Sequence, residues 1–176
     1  MHKSEVTKNI KNDIKKKLSD SIVLPSGAVL KNRFAKSAMS DSLGNGEGNP
    51  TQAQIRLYEK WALGGVALSI IGEVQIDARY PEKPGNLVLG IHSDKASLKA
   101  LTKRASIQGT HIWPQLGHAG ALSHQAISSP KGPSALHIAN LQCQGMSTED
   151  IKSLPESYAK AAELAKETGF TGVQIH

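Results

Sequence analysis

The stretch that decides the fold is His111–Ala121, HIWPQLGHAGA. Its first part predicts a short strand, because Ile112 and Leu116 are among the apolar side chains that a sheet buries. The predicted strand ends at Gly117, where a loop that contains Gly117 and Gly120 begins, and the side-chain amide of Gln115 lies near the end of the strand. Residues at the ends of parallel strands carry the ligand contacts of many α/β proteins. Because an amide both donates and accepts hydrogen bonds, the stretch predicts a binding position.

Before this stretch, the chain begins with a predicted hairpin and one strand candidate. Two short apolar segments, Ile22–Leu24 and Ala28–Leu30, flank Pro25–Gly27, whose residue types are typical of a tight turn. Arg33–Met39 is a weaker strand candidate, because it is not strongly apolar. The glycine-rich segment Gly44–Pro50 lacks the spacing of a phosphate-binding or dinucleotide-binding loop, so we interpret it as a flexible connection.

The next helix and strand are predicted from periodicity. Thr51, with Gln54 three residues later, has the pattern of a helix capping box. Gly64 and Gly65 are typical of the end of a helix. Val66–Val74 is an almost unbroken apolar run with β-branched residues, which is typical of a strand buried on both faces in a parallel sheet. The apolar residues that share one face of the helix are Ile55, Tyr58, Trp61 and Ala62.

Two further helices and a final strand follow the same pattern. Ser93 is predicted to cap the first of these helices, and Ser147 the second, after a long loop over residues 117–146. Pro155 predicts a kink or a split in the last helix, because proline removes a backbone donor. Gly172–His176 predicts the final strand. The inner face of the helix after Ser93 is formed by Leu98, Leu101 and Ala105.

This strict alternation of strands and helices predicts a parallel sheet with helices outside it. An open doubly wound sheet and a (β/α)8 barrel both satisfy the pattern, but no glycine-rich turn directly follows the first strand, which weakens the dinucleotide-binding version. Four strands are half of the eight in a barrel, which typically takes about 250 residues. We therefore expect an α/β fold in which residues 21–176 form the N-terminal half of a (β/α)8 TIM barrel, preceded by a β-hairpin and truncated after the fourth strand.

Composition excludes several classes of partner. The net charge is +6, with many of the lysines in residues 1–20, which we expect to be a basic, exposed lead-in. Aromatic residues make up 4% of the chain, too few for a base-stacking surface, so we expect no nucleic-acid partner. No apolar run approaches the roughly 18 residues of a membrane span. The single cysteine, Cys143, forms no intrachain disulfide and fits a reducing compartment. We expect a cytoplasmic protein without a metal site.

Several short blocks stand in order along the chain from residue 22 onward. They are Leu30–Phe34, Ser37–Ser40, Tyr58–Ala62, Gly64–Gly65, Ile70–Val74, Pro84–Asn86, Gln115–Gly120, Gly132–Ala135, Ala161–Ala162, Ala165, Gly169–Phe170 and Gly172–His176. In this order they resemble the Old Yellow Enzyme family of NADH:flavin oxidoreductases, which are FMN-dependent (β/α)8 barrels. Gln115–Gly120, QLGHAG, is the most specific block.

The resemblance implies a set of site residues. Glu73 matches a position whose backbone contacts the pyrimidine edge of the flavin, although it is larger and more acidic than the residue often found there. Gln115 matches the amide that hydrogen-bonds to the same edge. His176 matches the first member of a His-x-x-His/Asn pair that binds the carbonyl oxygen of the substrate. The positions that lie against the isoalloxazine ring, largely through backbone groups, are matched by Ser37, Ala38 and Met39.

Other interpretations of these residues stay open on the sequence alone. On the sequence alone, Met39 at a strand end is more typical of a core residue than of a flavin contact. Gln115, on a buried strand, could satisfy its amide with backbone groups. On the sequence alone, a lone histidine on the terminal strand, such as His176, is more typical of a structural or exposed histidine than of a ligand-binding one.

The reaction that the resemblance implies is flavin-dependent. NAD(P)H reduces FMN, and the flavin passes hydride to the β-carbon of an electron-poor alkene, a small-molecule substrate whose oxygen is stabilised by hydrogen-bond donors. Relatives that act on amine or dienoyl substrates, and a truncated half-barrel without catalysis, are the alternatives. Further family site residues follow the position of His176, so we expect the isolated chain to be inactive. A homo-oligomer stays open for the full-length form.

Overall fold

The computed structural model describes residues 17–139 and 141–176. The predicted basic lead-in lies mostly outside these residues, and residues 17–20 are exposed. In chain order the strands are β1 (Ile22–Val23), β2 (Val29–Leu30), β3 (Ala35–Lys36), β4 (Leu68–Gln75), β5 (His111–Gly117), β6 (Lys131–Gly132), β7 (Leu136–Ile138), β8 (Leu141–Gly145) and β9 (Gln174–Ile175). The α-helices are α1 (Gln52–Leu63), α2 (Lys95–Ala105) and α3 (Thr148–Glu167), and short 3-10 turns span Ile107–Gly109 and Gly120–Leu122.

The predicted hairpin is confirmed as the antiparallel pair of β1 and β2. Ile22 lies opposite Leu30 in its register. The N–H of Gly27 donates to the carbonyl oxygen of Leu24 at 2.8 Å, which closes the turn. Gly27 has a φ of 84°, a left-handed conformation that glycine adopts without the steric cost of a side chain.

A four-stranded sheet in the order β3-β4-β5-β9 lies at the centre of the molecule. All three pairings are parallel, with Leu68 opposite His111 and Gln115 opposite Gln174. The strands lie side by side in their chain order, whereas a doubly wound sheet reverses its strand order at a switch point. This consecutive order is that of a barrel wall, so the structure favours the barrel over the open sheet.

The predicted starts of α1 and α3 are confirmed, but the capping box predicted for α1 is wrong. The side chain of Thr51 accepts a hydrogen bond from the backbone N–H of Gln54 at 3.3 Å, whereas the side chain of Gln54 donates to the carboxylate of Asp41 at 3.0 Å. Ser147 and Asp150 form a reciprocal capping box at the start of α3. Pro155 lies inside α3 without splitting the helix, so the predicted split is wrong. A proline removes only one backbone donor, and the other residues of this 20-residue helix keep their backbone donors.

The predicted cap of α2 is wrong. Asp94, not Ser93, caps the helix, and its carboxylate accepts from the N–H groups of Ala96 at 2.9 Å and Ser97 at 3.2 Å. Ser93 instead donates to the carbonyl oxygen of Val88 at 2.8 Å. A charged acceptor makes the stronger bond to a helix N-terminus, which explains why the later residue caps the helix.

The predicted long loop after β5 contains a second, smaller sheet. β6, β8 and β7 form it in that order, with β6 parallel and β7 antiparallel to β8. These strands are two to five residues long, too short to show a hydrophobic period of their own. Cys143 on β8 is buried.

The main hydrophobic core lies between the central sheet and the helices. The predicted inner faces of α1 and α2 are confirmed, except that Trp61 is half-buried. β4 is buried on both of its faces, as its apolar run predicts. Among the residues that the structure describes, no helix combines the length and the apolar character that crossing a membrane requires. The largest fully buried apolar side chains are Tyr58, Ile71, Leu87, Leu89, Leu98, Leu101, Ile112 and Leu116.

Candidate functional site

The candidate site lies where β4, β5 and β9 end next to one another. The backbone N–H of His176, directly after β9, donates to the carbonyl oxygen of Leu116 at 2.9 Å. Gln115 lies opposite Gln174 in the same pairing. Parallel strands bring their carboxyl ends to one edge of a sheet, which is where α/β barrels place their sites. Three of the predicted site residues, Glu73, Gln115 and His176, therefore stand on neighbouring strand ends.

Gln115 connects the two strands on either side of it. Its side chain is 8% exposed. The side-chain oxygen accepts from the backbone N–H of Glu73 at 3.2 Å, and the side-chain nitrogen donates to the side-chain oxygen of Gln174 at 3.1 Å. The amide thus both accepts and donates, as predicted for a residue of this type, and both of these partners are protein groups.

Glu73 stands on a β-bulge between Ile71 and Val74. Its φ of 57° is left-handed, which costs a residue with a side chain about 1–3 kcal/mol. Two glutamines hold this conformation: Gln115 accepts from the N–H of Glu73, and the side chain of Gln75 donates to its carbonyl oxygen at 3.3 Å.

Gln75 also ties the bulge to the loop after β5. It is 1% exposed, and its side-chain oxygen accepts from the backbone N–H of Ala119 at 3.0 Å. A buried amide with both ends bonded is well satisfied. Gln75 therefore holds the Gly117–Gly120 loop against the bulge that carries Glu73.

The predicted isoalloxazine-contacting residues follow β3 and pass over the bulge. A Cβ on Gly72 would collide with the backbone of Met39, so the absence of a side chain at Gly72 permits this close approach. Ser37 is exposed and Ala38 half-buried. Met39 is 63% exposed, so the alternative of a core methionine is wrong. We define Ser37–Met39 together with Gly72 as the floor of the site.

Lys36, one residue before this floor, points to the helix side of the sheet. Its ammonium group donates to the carbonyl oxygen of Ile70 at 3.0 Å and to the hydroxyl of Tyr58 at 3.4 Å. It also lies 4.6 Å from the ring centroid of Trp61. Burial lowers the pKa of Lys36, and the nearby charge of Asp41 opposes that shift. These contacts fix the end of β3.

The carboxyl group of Glu73 lies near a second carboxyl group, that of Glu82. Burial raises the pKa of Glu73, and the nearby Glu82 raises it further. The charges of His176 and Lys83 act in the opposite direction. Like charges at close range favour the protonated form of one partner. Glu73 therefore retains a proton to higher pH than an isolated glutamate.

His176 is held by its backbone and is exposed at its side chain. The hydroxyl of Tyr158 donates to the backbone oxygen of His176 at 2.9 Å. The imidazole lies beside Gly117, where a Cβ would come 4.0 Å from the Cδ2 atom of the ring. With its backbone fixed and its side chain exposed, His176 can offer a ring nitrogen to a ligand.

His118, to which the sequence assigns no role, has a packing role in the structure. Its ring lies 4.7 Å from that of Tyr80, centroid to centroid. Burial lowers the pKa of His118, and the charge of Asp77 opposes the shift. The described residues contain no group of three or more histidine, cysteine, aspartate or glutamate side chains that could hold a metal ion.

Two residues of the site, Gln75 and Gln174, are not singled out by the sequence pattern. Gln174 had one available signal, since it stands two residues before His176 and side chains two apart on a strand share a face. Gln75 has no such signal, because a polar residue at the end of an apolar run is equally typical of a loop start. Their roles depend on partners from other strands.

Comparison with known proteins identifies the family. The model of the NADH:flavin oxidoreductase / NADH oxidase family matches residues 23–176. An NADH-dependent flavin oxidoreductase of Hypocrea jecorina (strain QM6a) is 29% identical over 88% of this chain and 45% of its own length. An NADH:acrylate oxidoreductase of Vibrio harveyi is 31% identical over 90% of this chain and 16% of its own.

The fold agrees with this assignment. The structure of the Old Yellow Enzyme homologue from Zymomonas mobilis superimposes with a TM-score of 0.80 at 23% identity, over 90% of this chain and 48% of that one. The α/β fold described above thus corresponds to about half of an Old Yellow Enzyme TIM barrel, and the chain spans less than half the length of the two relatives named above. With a family model that covers residues 23–176, the chain belongs to the NADH:flavin oxidoreductase / NADH oxidase family.

Proposed function

We propose that this chain supplies the N-terminal half of the site of an ene-reductase-type oxidoreductase, in which NAD(P)H reduces FMN and the flavin passes hydride to an activated alkene. The observation that carries the proposal is the position of Gln115, whose buried amide bridges Glu73 and Gln174 at the carboxyl edge of the sheet. The similarity to the NADH:acrylate oxidoreductase of Vibrio harveyi supports the proposal, because acrylate is an alkene conjugated to a carboxyl group.

The residues present fit a flavin. The floor formed by Ser37–Met39 with Gly72 exposes the side chains of Ser37 and Met39, and the missing side chain at Gly72 lets the backbone of Met39 pack against β4. The amide nitrogen of Gln115 retains a second N–H after its bond to Gln174, which suits the carbonyl oxygens of a pyrimidine edge. We propose that the floor residues contact the isoalloxazine ring and that Gln115 and the backbone of Glu73 contact its pyrimidine edge. FMN supplies the hydride chemistry when it is bound.

His176 is proposed to bind the carbonyl oxygen of the substrate. Its exposed imidazole lies beside Gly117 at the end of β5. A donor directed at that oxygen stabilises the negative charge that develops there when the alkene accepts hydride. Its role is therefore to polarise the substrate and to orient it.

We propose that the isolated chain has no activity. It spans 45% of the length of the Hypocrea jecorina relative, and barrels of this kind often bind phosphate with loops after strands seven and eight. The activity would then belong to a whole barrel, with this chain as one half. We also propose a cytoplasmic location, because Cys143 is the chain's one cysteine and no disulfide needs an oxidising compartment.

The test uses the protein purified at the full length that its gene encodes. FMN is added to the apoprotein, and flavin absorbance is measured after removal of the unbound cofactor. NADH and NADPH are then compared as reductants, with cyclohexenone as the electron-poor alkene. We expect a yellow protein that reduces cyclohexenone.

Two results would change the proposal. A protein that stays colourless after reconstitution contradicts it and favours the non-catalytic half-barrel. A flavoprotein that is inactive with cyclohexenone but oxidises an amine or reduces a dienoyl substrate assigns the site to the other members of the family.

A further inference from the structure

The side chains at the ends of β4, β5 and β9 form a directed series of hydrogen bonds. It starts at the backbone N–H of Glu73, which can only donate. The side-chain oxygen of Gln115 must therefore face Glu73, at 3.2 Å, and the side-chain nitrogen must face Gln174. That nitrogen donates, so Gln174 must turn its own oxygen towards Gln115, at 3.1 Å. The two amide orientations, which are interchangeable by shape, are thus both set by one backbone group.

This series of hydrogen bonds leaves amide N–H groups of Gln115 and Gln174 without an acceptor among the described residues. The nitrogen of each amide carries two N–H groups, and Gln115 uses one of its two for Gln174. Within residues 17–139 and 141–176, the side-chain nitrogen of Gln174 makes no hydrogen bond. Gln174 is half-buried, whereas Gln115 is buried. Gln174 is therefore the more accessible of the two amides.

These donors share a face with His176. Gln174 bonds to Gln115, and the imidazole of His176, directly after β9, lies beside Gly117; positions 115 and 117 are two apart on β5 and so share one face of it. Gln115 lies opposite Gln174 in the register and bonds to it. A face that offers amide N–H groups recognises a ligand edge rich in acceptors, such as ring carbonyl oxygens and unprotonated ring nitrogens. The pyrimidine edge of a flavin has this chemistry.

We propose that Gln174 is a second flavin-binding amide, which donates to the pyrimidine edge beside Gln115 and whose orientation is set by the N–H of Glu73 through Gln115. The proposal rests on the proposed function, since it assigns a further residue to the same flavin site. It makes Gln174 a contact residue for the cofactor, in addition to its role as the acceptor for Gln115.

A purely structural role for Gln174 makes a different prediction. In that case its oxygen serves Gln115, and its nitrogen is dispensable. Gln174→Glu retains an oxygen that can accept from Gln115 and removes both N–H donors. Gln174→Met removes acceptor and donors with a side chain of similar length. The two variants therefore separate a donor to the ligand from an acceptor for Gln115.

The experiment is an FMN titration of the protein at its full encoded length, followed by flavin fluorescence. We expect both Gln174→Glu and Gln174→Met to weaken FMN binding by roughly 3- to 10-fold, the effect of one lost hydrogen bond. Gln52→Glu is the matched control, because it makes the same charge change at an exposed position at the start of α1. It should bind FMN as the wild type does.

A second measurement covers variants that fail to fold. In a nitrogen-15 NMR spectrum of the wild type, the side-chain amide signal of Gln174 should shift on addition of FMN, and that of Gln52 should not. Wild-type affinity in Gln174→Glu, or an unchanged Gln174 signal in a protein that binds FMN, overturns the inference alone. A wild type that binds no FMN overturns the proposed function as well, so the two failures are distinguishable.

Discussion

The hydroxyl of Tyr158 on α3 lies 2.9 Å from the backbone oxygen of His176 and donates a hydrogen bond to it. The backbone of His118 lies near the same hydroxyl. One side chain from a helix thereby lies between the loop after β5 and the residue after β9. Because the N–H of His176 also bonds to Leu116, the backbone of His176 is held on both sides. The position of its imidazole therefore depends on a helix that does not itself enter the site.

Removal of this hydroxyl tests that dependence. Tyr158→Phe should lower the free energy of unfolding by about 1 kcal/mol, the net value of one hydrogen bond. In an active full-length protein it should raise KM for the alkene more than it lowers kcat, because His176 is proposed to bind the substrate. Urea unfolding and steady-state kinetics measure the two effects. Tyr80→Phe is the control, since no hydrogen bond from the Tyr80 hydroxyl is found among the described residues; an equal loss in both variants contradicts the prediction.

Gly72 is predicted to be intolerant of any side chain. Gly72→Ala places a Cβ against the backbone of Met39, and relief of such overpacking costs about 1–3 kcal/mol. We expect a lower urea midpoint and weaker FMN binding, because the floor of the site must move. Gly90→Ala is the control, as a Cβ there meets only a side-chain carbon of Val88 at 3.9 Å. Unchanged stability and FMN affinity in Gly72→Ala would contradict the prediction, because they would show that the floor accommodates a Cβ at residue 72 with no loss of stability.

The raised pKa of Glu73 predicts a pH dependence of stability. The pKa of Glu73 is raised in the folded state, by burial and then by Glu82, so folding favours the protonated form. That contribution is complete below the unfolded value, near 4.5, and is lost as the pH rises through the higher folded pKa. Glu73→Gln removes the penalty on the ionised group. The stability of the variant relative to the wild type should therefore increase with pH across this window.

Urea unfolding of both proteins at several pH values provides the measurement for Glu73. Glu163→Gln, on the exposed side of α3, is the control for a change of charge. A stability difference between wild type and Glu73→Gln that stays constant with pH, or falls as the pH rises, contradicts a raised pKa of Glu73 in the folded protein.

The bond between Gln115 and Gln174 is predicted to be measurable as a coupling energy. Gln115→Met leaves the N–H of Glu73 without its acceptor, and an unpaired buried group costs about 1–3 kcal/mol. Gln174→Met should cost less, because Gln174 is more exposed than Gln115. In a double-mutant cycle the two changes should be non-additive by about 0.5–1.5 kcal/mol. Additive costs would show that the 3.1 Å contact contributes nothing to stability.

Much of the fold could be predicted from local chemistry. The apolar run over Val66–Val74 predicted a strand buried on both faces, and Thr51 and Ser147 predicted two helix starts, because each signal depends on the residue and its near neighbours. One prediction failed through competition between neighbouring signals, because Asp94 and not Ser93 caps α2. Of the kink or split predicted at Pro155, the split does not occur.

The site was only partly predictable. The resemblance of short blocks to a family identified Glu73, Gln115 and His176, which the fold brings to neighbouring strand ends. Gln75 and Gln174 were not identified, since a glutamine has no chemical signature until its partners are known. The small sheet of β6, β8 and β7 was missed for a similar reason: such short strands are defined by their pairing.

The sequence by itself determined the alternation of strands and helices around His111–Ala121, because periodicity and capping act within a few residues of the chain. The tertiary structure alone decided which groups the side-chain amide of Gln115 bonds to. The amide of Gln115 has a fixed orientation because β4 supplies the N–H of Glu73 and β9 supplies the side chain of Gln174. These two residues are 42 and 59 positions away from Gln115 in the sequence. A hydrogen bond depends on distance and direction in space, and only the register of the parallel strands sets both.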